Sequence, residues 1–171
     1  LWALDALVHT YPDATLVQTH RDVRKSLPSN CSLSAITTSK FVDRLDLVEH
    51  GRFWDTFYAR GMERGLASRR RLGPGRIIDV RTNDLSRDPL TSIRSIYAAQ
   101  GLPFTRDLEL AYAERAAMHP KDAHGKHVYA PSDFGLDANE LAARYADYHA
   151  EFGLVEGPTS RKGASASDRS V

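Results

Sequence analysis

Two short runs patterned for strands, residues 15–19 and 76–81, stand in a chain that otherwise reads as helix. Strands that alternate with helices belong to an α/β domain whose parallel sheet is flanked by those helices. Two strands are few for such a sheet. The chain also opens on Leu1, in the middle of an amphipathic pattern, so the expectation is an incomplete, helix-rich piece of a longer α/β protein.

The helical segments carry their own punctuation. Leu1, Leu4, Leu7, Val8 and Tyr11 share one helical face, and Pro12-Asp13 ends that segment. A second helix is expected from Val23 or Lys25 toward Thr37, with Pro28 in its first turn or kinking it. The longest candidate spans 47–71, where Trp54, Tyr58, Met62 and Leu66 step by four as a core stripe, flanked by Phe53 and Phe57. Gly61 and Gly65 permit close approach at roughly 1 kcal/mol each in helix propensity. Arg69, Arg70 and Arg71 followed by Gly73 and Pro74 make an ordinary stop. Asp88-Pro89 opens a further helix with Ile93, Ile96 and Tyr97 on its apolar face, and Gly101 closes it. Another is expected over 107–118. Asp137 and Glu140 have capping-box spacing for a last helix lined by Leu141, Tyr145, Tyr148 and Phe152. Residues 1–153 thus read as one unit, and 154–171, rich in Ser, Gly and Arg, as a disordered tail.

Charge narrows the function classes. The formal net charge of +1 over 171 residues sets up no field for nucleic acid or an anionic membrane. No apolar run approaches the roughly 18 residues of a membrane span. The single cysteine, Cys31, forms no internal disulfide and fits a reducing, cytoplasmic location. His124 and His127 lack any helical metal-binding spacing, so no metal is expected.

The chemistry concentrates where the first strand ends, at Leu16-Val17-Gln18-Thr19-His20-Arg21-Asp22-Val23-Arg24-Lys25-Ser26-Leu27-Pro28-Ser29. Ligands of open parallel sheets sit beyond the carboxyl ends of the strands. A guanidinium at such an exit, with hydroxyls near a helix start, suits a phosphate: Arg offers a bidentate fork and backbone N–H groups add to it. Arg21 and Ser29 lead the candidates, and Lys25 and Ser26 are close enough to reach the same anion. Competing readings stand beside these: Arg21 as a surface arginine paired with Asp22, Lys25 and Ser26 as a solvent-facing turn, and His20 as a packing residue instead of a participant in chemistry.

The eight-residue spacing from Arg21 to Ser29 resembles the 3′-phosphate-binding segment of sulfotransferases. Leu1-Trp2-Ala3-Leu4-Asp5-Ala6-Leu7, Tyr11-Pro12-Asp13-Ala14, His20-Arg21-Asp22 and Asp133-Phe134-Gly135-Leu136 look like a bacterial branch of that family, a likeness that runs to about Gly153. The resemblance implies a P-loop NTPase-like parallel sheet. It also implies 3′-phosphoadenosine 5′-phosphosulfate (PAPS) as the sulfuryl donor and a hydroxyl or amine acceptor. Arg21 and Ser29 would then be ligands of the 3′-phosphate. The loop His124-Gly125-Lys126-His127-Val128-Tyr129 resembles the family's late basic-glycine loop, which makes Gly125 and Lys126 further candidates, although the Arg-Lys-Gly order of cytosolic members is missing. Thr82 stands where the family places an aromatic residue against adenine.

The family's Gly-rich 5′-phosphosulfate loop has no counterpart among these residues, and its general base is expected upstream of Leu1, with His20 a weak substitute. The expectation is therefore that this piece alone does not turn over. Two alternatives stay open: a piece of a P-loop nucleotide kinase, which would need a γ-phosphate and Mg²⁺, and a nucleotide-binding domain without catalysis. Asp133-Phe134-Gly135 lacks the upstream catalytic loop that would make it a kinase motif. No feature specifies the acceptor or an oligomeric state.

Overall fold

A computed structural model describes residues 1–118 and 129–154. Strands β1 (Leu16–His20) and β2 (Ile77–Arg81) pair in parallel, in a register running from Leu16 opposite Ile77 to His20 opposite Arg81. Helix α1 (Leu4–Thr10) precedes β1, and α2 (Val23–Thr38) and α3 (Leu47–Leu72) carry the chain from β1 to β2. After β2 come α4 (Thr82–Arg87), α5 (Pro89–Ala99) and α6 (Arg106–Met118). A 3-10 turn (Pro131–Phe134), α7 (Ala138–Arg144) and α8 (Ala146–Glu151) complete the described chain. No described helix is long and apolar enough to cross a membrane.

Local chemistry accounts for the helix ends. The Asp22 carboxylate accepts the Arg24 amide at the start of α2, and Asp46 accepts the Val48 and Glu49 amides at the start of α3. Asp88 caps α5, with Pro89 in its first turn, and Gly101 (φ 63°) leaves that helix in the left-handed region. Of its two expected places Pro28 does not take the first turn; it lies inside α2, where it cannot donate to the Arg24 carbonyl. The helix continues through it, and its ring is fully buried.

Val23, Leu27 and Cys31, spaced by four along α2, form one side of the core. Phe134, Leu136, Leu141, Tyr145, Tyr148 and Leu154 form the other. Each large apolar side chain buried here contributes about 1.5–3 kcal/mol. Trp54, Tyr58 and Met62 of α3 pack against that cluster, as their spacing predicts, whereas the fourth stripe residue, Leu66, is half-buried away from it and Phe53 and Phe57 stay on the outside. Three glycines let α3 be approached closely: a Cβ on Gly51 would lie 2.1 Å from the Phe134 carbonyl oxygen, and those on Gly61 and Gly65 would meet Trp2 and Leu1.

The last helix is not continuous, contrary to its apolar pattern. Tyr145 (φ −108°, ψ 20°) breaks it into α7 and α8. Its hydroxyl donates to the Asp55 carboxylate at 2.7 Å, so the side chain is drawn across the core to α3. The short α4 also escaped the sequence reading, since six polar-rich residues show no helical period.

Candidate functional site

The carboxyl ends of β1 and β2 lie side by side, and the chain leaves β1 directly into Arg21. A cleft of about 250 Å³ opens there, bounded by His20, Arg21 and Asp22 on the β1 side and by Arg81, Asn83, Asp84 and Arg87 on the β2 side. Gly153 and Leu154 close its third wall.

The three residues at the β1 exit have different states. His20 is 1% exposed, with Nε2 2.8 Å from Asp79 Oδ1 and Nδ1 3.0 Å from the Tyr148 hydroxyl. Its ring stacks on Phe152 at 3.7 Å between centroids. Burial pushes the His20 pKa below its ordinary value, outweighing the Asp79 bond, so the imidazole is neutral at neutral pH. A carboxylate only accepts, so the Asp79 bond puts the ring proton on Nε2; Nδ1 then accepts from the Tyr148 hydroxyl. Asp79 is held in turn by Arg69 at 2.6 Å, which also donates to Gln18, the register partner of Asp79. This geometry fits the packing reading of His20.

Asp22 is committed to its own helix. Its carboxylate accepts the Arg24 amide at 2.9 Å and the Arg24 Nε at 2.9 and 3.0 Å. Burial raises its pKa, but the Arg24 bonds prevail and hold it below the ordinary carboxylate value. The pairing of Arg21 with Asp22, one of the two sequence readings, is therefore not formed. Arg21 is exposed, and no described acidic side chain pairs with its guanidinium.

The β2 side of the cleft is cationic and partly self-neutralised. Arg81 Nε donates to Asp84 at 2.6 Å and Arg87 to the other oxygen of Asp84 at 2.9 Å. Sequence reasoning missed Arg81, Asn83 and Arg87; the register, which sets Arg81 beside His20, is the signal that finds them. Thr82 is the first residue of α4. Lys25, Ser26 and Ser29 do not line the cleft; they occupy one face of α2, with Lys25 exposed and the two serines half-buried. Gly125 and Lys126 lie outside the described residues. Among the described residues no three His, Cys, Asp or Glu side chains converge as metal ligands.

His149 was also invisible to sequence reading. It is 4% exposed, and its Nε2 accepts the Val23 amide, the first of α2, at 3.1 Å. Burial depresses its pKa against the pull of Asp22, whose Oδ1 lies 3.5 Å away.

Known proteins share much of this sequence and fold. The sequence model described as the Sulfotransferase family matches residues 1–106. No curated protein sequence matches significantly. The fold superimposes on the crystal structure of sulfotransferase STF9 from Mycobacterium avium with a TM-score of 0.79 and 29% identity, over 89% of this chain and 39% of that one. It superimposes on sulfotransferase STF1 from Mycobacterium tuberculosis H37Rv with a TM-score of 0.70 and 33% identity, over 84% of this chain and 36% of that one. The chain thus spans well under half the length of either structure. With its first 106 residues matched and the described fold shared, the chain belongs to the sulfotransferase family.

Proposed function

We propose that the chain holds the 3′-phosphate of PAPS within a sulfotransferase that passes the sulfuryl group to a hydroxyl or amine. One observation carries this reading. Arg21 stands at the carboxyl end of β1, exposed and without a described acidic partner, while its neighbour Asp22 is spent on Arg24 and the helix start. A guanidinium so placed is available for a dianionic phosphate, and keeping Asp22 occupied removes the nearest competitor. Ser29 is the second ligand, with Lys25 and Ser26 on the same helix face adding a cation and a hydroxyl. Gly125 and Lys126 are proposed to complete the set.

In the overall reaction, the bond between sulfur and the bridging phosphate oxygen breaks, a bond from sulfur to the acceptor oxygen or nitrogen forms, and the acceptor proton is released. The contribution assigned to these residues is retention and orientation of the donor by its 3′ end, which is positioning in place of covalent chemistry. Family membership supports the P-loop-type parallel sheet as the larger frame in which β1 and β2 sit.

The test is calorimetric titration of the chain with 3′-phosphoadenosine 5′-phosphate, adenosine 5′-phosphate and ATP. The expected result is binding of the first that exceeds the others by at least about tenfold, the worth of one charged contact. Tighter binding of ATP with Mg²⁺ would move the assignment to the kinase class. Equal binding of all three would leave a nucleotide domain without 3′-phosphate recognition.

A further inference from the structure

We propose that the adjacent residues Tyr148 and His149 of α8 form a positioning clamp that grips the chain on both sides of Arg21 and so fixes the backbone from which its guanidinium reaches the phosphate. Tyr148 holds the residue before Arg21, through its hydroxyl 3.0 Å from His20 Nδ1. His149 holds the chain after it, accepting the Val23 amide at 3.1 Å. Both clamp residues are buried, at 6% and 4% exposure. The far side of His20 is fixed as well, by Asp79 at 2.8 Å and the Phe152 ring.

The consequence is geometric. Arg21 is exposed and carries no described ion pair, so what the fold fixes is the backbone its side chain starts from, held at His20 and at Val23 by one short helix. A bidentate guanidinium contact is sensitive to angle, so loosening either grip degrades phosphate recognition before it unfolds the domain. α8 lies beyond residues 1–106, outside the segment that carries the family match.

The inference rests on the reading of Arg21 as a 3′-phosphate ligand, and the test separates the two. Tyr148→Phe removes one hydroxyl and keeps the ring, and His149→Leu removes the acceptor of the Val23 amide. Tyr145→Phe is the control: it removes a buried hydroxyl of the same core, bonded to Asp55 and not to the β1 exit. Two quantities are read in each variant. One is the affinity ratio of 3′-phosphoadenosine 5′-phosphate to adenosine 5′-phosphate, which a merely structural role does not move. The other is amide hydrogen exchange at residues 21–23 without nucleotide.

The clamp predicts that Tyr148→Phe and His149→Leu each lower the ratio about three- to tenfold, the worth of one hydrogen bond, and speed exchange at 21–23. Tyr145→Phe should leave both near wild type. Unchanged exchange in both clamp variants, or an equal change in Tyr145→Phe, overturns the clamp. If wild type shows no preference for the 3′-phosphate, the nucleotide reading fails and the exchange data still decide the clamp. If Tyr148→Phe does not fold, His149→Leu decides alone.

Discussion

Gly51 and Gly61 sit ten residues apart on α3, and the structure predicts opposite outcomes for the same substitution. Alanine gains about 1 kcal/mol over glycine at either interior helix position. At Gly51 the added Cβ would lie 2.1 Å from the Phe134 carbonyl oxygen and 2.9 Å from Phe134 Cβ. Those atoms belong to the 3-10 turn and to a core side chain with 4% exposure, so nothing there yields without moving the core. Overpacking of that kind costs about 3 kcal/mol, leaving Gly51→Ala destabilised by about 2 kcal/mol. At Gly61 the new atom meets the Trp2 indole nitrogen at 2.7 Å, but Trp2 is 37% exposed and can swing outward. There the propensity gain offsets the contact, and Gly61→Ala should fall within about 0.5 kcal/mol of wild type. Urea unfolding followed by circular dichroism, with midpoints compared at unchanged slope, measures both. Equal effects at the two positions would refute the claim that the 3-10 turn is locked against α3.

Three further outcomes follow from the described geometry. His20 and His149 have folded pKa values pushed below the ordinary 6.5 by burial, so the unfolded chain takes up protons first as pH falls. Their contribution to stability is therefore complete above about pH 6.5 and is lost as pH falls from there toward the lower folded values. The facing charges Asp79, Arg69 and Glu151 around His20, and Asp22 and Arg24 around His149, do not reverse that sign. Chemical denaturation between about pH 7.5 and 5 should show the decline, and His149→Leu should flatten it. Asp22→Ala should cost about 2 kcal/mol, by removing both the α2 cap and the partner of Arg24, whereas Asp22→Asn keeps an acceptor for the cap and should cost about half as much; thermal unfolding checks the order. Cys31, fully buried with its thiol pushed up to about 11 by burial, should react with a thiol reagent only as fast as the domain opens.

The strands, the long α3, the Asp88-Pro89 helix start and the aromatic stripe were legible because each depends on local pattern. Thr15–Thr19 read as a strand and β1 is Leu16–His20, a shift of one residue at both ends. Family membership was legible too, in the joint spacing of Arg21, Ser29 and their flanks. What sequence reading missed depends on distant partners. The break at Tyr145 falls at a residue whose hydroxyl reaches Asp55, ninety positions away. Pro28 sits inside α2 with its ring fully buried. His149 became visible only when folding set it against Val23, and Arg81 only when the register set it beside His20.

The most direct measurement is titration of 3′-phosphoadenosine 5′-phosphate and of adenosine 5′-phosphate into wild type, Arg21→Ala and Arg21→Lys. If Arg21 holds the 3′-phosphate, the alanine variant loses about 2 kcal/mol, roughly thirtyfold, with the first nucleotide and almost nothing with the second. Lysine, a point charge without the fork, should recover only part of the loss. An alanine variant that binds both nucleotides like wild type, or that loses both equally, would contradict the account.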